Sequence, residues 1–360
     1  MIAALLVTTS LGMLGAAQAA PRPNDPAIVR SEFIYETAPT PQCHASTIVE
    51  TPAGLVAAWF GGEHERHPDV RIFVSRYDAG RWATPVAVAD GVQADGTHLP
   101  TWNPVLFLPR GGPLMLFYKV GPSPSEWWGM VMTSTDNGKT WSKSQRLPAG
   151  ILGPIKDKPI QLKDGTVIAG SSTENDGWRV HMERSTDGGR SWSATPPLND
   201  GRTIGAIQPT LIVHPDNRIQ ALGRTRNNHI FTVESSDEGR TWSAMTLTDL
   251  PNPSAGIDAV TLADGRHLLV YNHTTQSRDT SERSMLNVAV SRDGRQWDAA
   301  LVLEDDRSAP SGFSYPAVIQ TADGLVHVTY TWERTRVRHV VIDPAKLTLR
   351  PITKGAWPAK

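Results

Sequence analysis

Three copies of one short phrase constrain this chain more than anything else in it: Ser134-Thr-Asp136-Asn-Gly138-Lys-Thr-Trp141, Ser185-Thr-Asp187-Gly-Gly189-Arg-Ser-Trp192 and Ser235-Ser-Asp237-Glu-Gly239-Arg-Thr-Trp242. Their tryptophans lie 51 (192 − 141) and 50 (242 − 192) residues apart. A fixed period of that size marks stacked supersecondary units, none of which can bury its apolar face alone. Two worn copies, Ser75-Arg-Tyr-Asp78-Ala-Gly80-Arg-Trp82 and Ser291-Arg-Asp293-Gly294-Arg-Gln-Trp297, extend the series at spacings of 59 (141 − 82) and 55 (297 − 242). The blades of a β-propeller fit this rhythm.

The phrase is a turn with a mechanism. Asp and Ser side chains accept hydrogen bonds from nearby backbone N–H groups, and Gly takes the positive φ that a reversing chain needs. The closing Trp supplies a large ring to bury. Between the phrases lie six hairpins of alternating apolar pattern, at 47–60, 105–118, 159–170, 210–222, 259–271 and 317–330, each with Gly, Asn or Asp at its turn. Each hairpin supplies the inner two strands of a blade, and each phrase joins the outer two. The last strand, 337–342, is expected to pair with an N-terminal segment near 32–35 and close the ring, which removes the exposed edges that β proteins must otherwise protect. The reading is an all-β, six-bladed β-propeller.

Composition agrees. Twelve Trp and 28 Pro suit a turn-rich β protein, and a net charge of −1 gives no electrostatic case for nucleic acid. The single cysteine, Cys43, excludes a disulfide within the chain and a cysteine-based metal site. Nothing in the sequence calls for a cofactor or a metal, since the His/Glu-dense stretch at 63–67 lacks the spacing of a zinc site. Residues 2–17 are apolar and uncharged and lead into Ala17-Gln18-Ala19, a small-x-small cleavage pattern. Residues 1–20 are therefore read as a signal peptide and 21–360 as the propeller, of a periplasmic or secreted protein with no membrane partner after cleavage.

The repeated phrase resembles the Asp-box, or bacterial neuraminidase repeat, of the sialidase superfamily. The resemblance implies that Asp136, Asp187 and Asp237 are structural and lie on the face away from the active site. It also implies a site made of three arginines for a sugar carboxylate, an Asp acid/base, and a Tyr nucleophile activated by a Glu. Arg224, in Leu222-Gly-Arg224-Thr-Arg226, resembles the second arginine, and Arg283, leading into the fifth phrase, the third. Tyr315, in Gly312-Phe-Ser-Tyr315-Pro, resembles the nucleophile, and Asp69 falls in the loop that carries the acid/base. Two positions depart: His44 stands where the first arginine is expected, and Gln208 where the activating glutamate is expected.

Those departures change the chemistry. A tyrosine nucleophile needs a proton acceptor, because its unperturbed pKa is near 10. An amide such as Gln208 has no useful basicity, whereas His44 titrates near neutrality. The sequence thus places His44 beside Tyr315, with Arg224, Arg283 and Gln208 binding a carboxylated sugar. This implies an exported, sialidase-like exo-glycosidase. Two alternatives stand beside it: a propeller-type uronate lyase, and a non-catalytic glycan-binding propeller. Trp102, Trp127 and Trp128 suit sugar stacking or blade packing equally. Lys156, Asp157 and Lys158 read as a solvated loop, with Lys158 at a strand start where it can face the channel.

Overall fold

The computed structural model describes residues 25–275 and 282–359; the expected signal peptide lies outside them. Six antiparallel sheets follow one another along the chain, the arrangement of a six-bladed β-propeller. Innermost strands are Gln42–Thr51, Thr101–Phe107, Ile160–Gln161, Ala206–Val213, Asp258–Thr261 and Phe313–Gln320, for the first to sixth blades. Within each blade the chain then steps outward, as in the fourth: Ile219–Thr225, His229–Ser235 and Thr246–Pro251. Among the described residues no helix is long and apolar enough to cross a membrane.

The ring closes as the sequence anticipates, though slightly earlier in the chain. Arg336–Ile342 pairs antiparallel with Ile28–Phe33, with Glu32 opposite His339. The outermost strand of the last blade therefore comes from the N-terminal end of the described chain.

The repeated turns show why their residues are fixed. In all three full copies, Asp Oδ1 accepts the N–H groups three and four residues on, and Oδ2 accepts the Thr or Ser hydroxyl at 2.6 Å. The Ser oxygen accepts the Gly N–H at 2.8–2.9 Å. Gly138, Gly189 and Gly239 have φ of 81°, 90° and 77°, a region that costs other residues strain. Each also lies against the preceding blade: a Cβ would meet Val56, Met115 and Ile168 respectively. The turn therefore packs blade on blade as well as reversing the chain. The Trp side is less uniform. Trp297 is buried, while Trp192 is only partly covered, edge-on to Phe117 with its N–H bonded to the Gly189 carbonyl.

Lys156 and Asp157 are buried and Lys158 is partly buried, so the charged stretch is not a solvated loop. Lys156 Nζ donates to Asp157 at 2.6 Å and to the carbonyls of Ile257 and Pro316, in the fifth and sixth blades. Lys158 reaches Asp258 at 2.9 Å, and Asp258 in turn accepts the Thr210 hydroxyl and the Val318 N–H. A buried charge must be paired and hydrogen-bonded, and here the pairing runs between blades and ties the ring together across its axis.

Candidate active site

One end of the propeller carries a cleft of about 370 Å³, within the size range of ligand sites. Two kinds of segment build it. The first is the end of the second strand and its connection to the third, which supplies Glu65 and Arg66, Trp127, Glu174 and Trp178, Arg224 (the last residue but one of its strand), Glu282 and Arg283, and Arg334. The second is the entry to the innermost strand, which supplies Asn103, Gln208, Ser254 and Tyr315. Third strands run away from this end toward the Asp turns, so those turns lie at the opposite end and their aspartates are spent on local hydrogen bonds.

The strand entries share a backbone device. Ala45, Asn103, Lys156, Gln208, Ser254 and Tyr315, one per blade, all have positive φ between 38° and 71°. Pairing slips there in the first, second, fourth and sixth blades, between His44 and Thr47, Trp102 and Val105, Ile207 and Thr210, and Ser314 and Ala317. Such bulges re-aim a side chain, and strained backbone concentrates at functional sites. In three blades the bulged residue precedes a proline: Asn103-Pro104, Gln208-Pro209 and Tyr315-Pro316. Proline has no N–H for the ladder and is tolerated inside a sheet at such a bulge.

Tyr315 sits among cations. The guanidinium carbons of Arg224 and Arg283 lie 5.4 Å and 5.7 Å from its ring centre, and Lys156 Nζ lies at 6.0 Å. Arg224 donates to the Ser254 carbonyl at 2.9 Å, stacks 5.1 Å from the Trp178 ring, and leaves its buried Nε without a partner. Burial draws Arg283 below the usual guanidinium range, with Arg224 and Arg334 adding to the effect.

His44 packs against Tyr315, ring centres 4.0 Å apart at 47°, and its Nδ1 is 3.0 Å from Thr331 Oγ1. The contact is between tilted rings; among the described residues no hydrogen bond joins His44 to the tyrosine oxygen. Burial, followed by the charges of Arg334, Arg283, Arg224 and Lys156, holds His44 well below the normal histidine range, so the ring is neutral. Gln208 is buried at the cleft wall, and its Oε1 has no partner.

Asp69 is placed elsewhere. Its carboxylate, half exposed, accepts the Glu63 N–H and lies 2.6 Å from His67 Nδ1. The residues that this loop turns into the cleft are Glu65 and Arg66. The short-range bonds of Asp69 hold the loop's shape, and its carboxylate does not line the cleft.

Sequence reasoning passed over Arg334. It follows Trp332 in the sixth blade, in the connection that carries Arg283 in the fifth, whereas Arg224 stands at the end of the second strand in the fourth. The Nη1 of Arg334 pairs with Glu65 Oε2 at 2.7 Å. The cleft thus holds four guanidiniums, Arg66 from the first blade and Arg224, Arg283 and Arg334 from three successive blades, although the entry to the first blade offers His44 where an arginine was expected. The readable signal was positional: an arginine just past the end of a second strand. Trp102 is fully buried with its N–H on the Gly121 carbonyl, and it meets Trp127 edge-on at 5.9 Å, so packing claims most of its surface. Trp128 takes Arg146 on its face at 4.5 Å.

Known proteins agree with this architecture. Residues 53–328 match the BNR repeat-like domain, and the chain belongs to that family as a divergent member of the sialidase superfamily. It is 28% identical over 260 residues to a sialidase of Micromonospora viridifaciens, covering 58% of this chain and 37% of that protein. It is 27% identical over 232 residues to a xyloglucanase of a Paenibacillus species, covering 59% of this chain and 21% of that protein. The chain therefore spans well under half the length of either relative. Among solved structures, the intramolecular trans-sialidase of Ruminococcus gnavus superposes with a TM-score of 0.68 at 14% identity, covering 90% of this chain and 99% of that one.

Proposed function

We propose that this sialidase-like propeller is an exported exo-glycosidase that removes a terminal carboxylated sugar, with Arg224, Arg283 and Arg334 on the carboxylate and Tyr315 at the anomeric carbon. The observation that carries the reading is the meeting of those three guanidiniums and one tyrosine in a single cleft. Buried cations without full pairing favour an anion, and guanidinium geometry suits a carboxylate. The glycosidase relatives support hydrolysis over elimination. Gln208 then serves as a neutral hydrogen-bond acceptor on the sugar.

His44 is the proton acceptor for Tyr315 in this reading. Its low basicity comes from burial and from four cations. A bound carboxylate adds a negative charge beside three of them and opposes that effect, so the base strengthens when substrate arrives. Asp69 keeps a loop-shaping part.

The test is a panel of sialosides, other ulosonides and uronides. Release of a free acidic sugar is expected. An unsaturated uronate absorbing in the ultraviolet would replace hydrolysis by a lyase reaction, and tight binding without turnover, unchanged in Tyr315→Phe, would leave a binding module. N-terminal sequencing of the mature protein tests export, with cleavage expected after Ala19 or Ala20.

A further inference from the structure

We infer that Glu174 is the proton donor to the leaving group, a part the sequence had given to Asp69; the inference rests on the glycosidase reading above. A ring of six blades sets the third blade opposite the sixth. Glu174 closes the second strand of the third blade (Val167–Thr173), and Tyr315 opens the sixth, so the two side chains approach one cleft from facing walls. Arg224 spans between those walls, with Trp178 on one side at 5.1 Å and Tyr315 on the other at 5.4 Å. A pyranose between the walls would have the tyrosine on one flank and the Glu174 carboxyl on the other.

The other carboxyls of the cleft are less suited. Glu65 is paired with Arg334 at 2.7 Å, and Glu282 shares its turn with Arg283. Glu174 is set among Arg224 and Arg226 of the fourth blade and Arg66 of the first, yet burial outweighs their pull and raises it above the ordinary glutamate range. Burial thus favours the protonated form of this carboxyl, the direction that acid catalysis at a glycosidic oxygen requires. In the cycle the Glu174 proton passes to the glycosidic oxygen as the anomeric C–O bond breaks. Water supplies the oxygen that ends on the anomeric carbon, and its proton restores the carboxyl. Glycoside and water thus give free sugar and alcohol.

The test compares two glycosides of the same carboxylated sugar, one with a 4-nitrophenol leaving group and one with a sugar alcohol. 4-Nitrophenolate leaves without protonation, whereas an alkoxide does not. In Glu174→Gln, kcat on the sugar-linked substrate should fall roughly 10²–10⁴-fold and kcat on the aryl substrate less than about tenfold. Affinity for the free acidic sugar should stay unchanged, which also reports that the variant folds; Glu174→Asp should recover part of the lost rate. Equal losses on both substrates, or none on either, would overturn the assignment, as would the same leaving-group signature in Glu282→Gln instead. A wild type inactive on both substrates would overturn the glycosidase reading itself.

Discussion

Arg334 offers the sharpest perturbation of the clamp, because no motif marks it and its carboxylate partner, Glu65, lines the same cleft. Arg334→Ala removes one guanidinium from the cleft and leaves Glu65, formerly held at 2.7 Å, without its partner. Loss of a hydrogen bond to a charged group costs about 1.5–3 kcal/mol, or roughly 10–150-fold in Kd. The orphaned Glu65 then repels the incoming carboxylate. At an effective dielectric constant near 20 this adds on the order of 1–3 kcal/mol. Adding Glu65→Gln to Arg334→Ala should therefore recover about tenfold, although it removes a second charged residue. Calorimetric titration of the carboxylated sugar and its methyl ester into wild type, both single variants and the double variant gives the cycle. The ester should bind all four proteins with similar affinity. Unchanged acid affinity in Arg334→Ala, or equal losses for acid and ester, would show that Arg334 does not read the carboxylate.

Three further outcomes follow from the structure. Trp102→Ala should cost about 3–5 kcal/mol in chemical denaturation, the scale for emptying a buried aromatic site, whereas the partly covered Trp192→Ala should cost clearly less; equal costs would contradict the packing described. Two imidazole pairs, His214 with His267 at 3.1 Å and His327 with His339 at 2.9 Å, are held neutral, and burial lowers His267 and His327 to about 4. The unfolded chain takes up those protons first, so stability should fall as pH drops from about 6.5 to about 4, by at most about 1.4 kcal/mol per pH unit per ring; a flat melting temperature across that window would refute the effect. His44→Ala should lower kcat at least roughly 10²-fold while leaving affinity for the acidic sugar nearly unchanged, and Gln208→Ala should lower kcat less than about tenfold; the reverse order in steady-state kinetics would make Gln208 the more important partner.

The fold was legible because its signal is local and repeated. Each Asp turn consumes its own Ser, Asp and Gly, so five copies could be counted without knowing any long-range contact. Ring closure was legible for a related reason: strand 336–342 lacked an outer neighbour, and the N-terminal segment had the pattern to supply one. The cleft was only partly legible. Arg224, Arg283 and Tyr315 are positions that the sialidase resemblance supplies, whereas Arg334 lies in the one blade with no clear Asp phrase, where the resemblance offered no position to match. Asp69 lies in a loop that does enter the cleft, but the residues of that loop lining it are Glu65 and Arg66, because Asp69 is taken up by hydrogen bonds two to six residues away. The stretch 156–158 looked solvated because pairing with Asp258, Ile257 and Pro316 spans 100 residues or more of sequence. Glu174 offered no motif at all; its place opposite Tyr315 emerges only when six blades close into a ring.

The central claim is that this cleft selects a carboxylate and cleaves the sugar that bears it. The most direct measurement is kcat/KM of the wild-type protein on one carboxylated glycoside and on its methyl ester, which matches it in shape and lacks only the charge. Three guanidiniums on the carboxylate predict a preference for the acid of roughly 10² or more. Equal kcat/KM for the two, or faster turnover of the ester, would contradict the account.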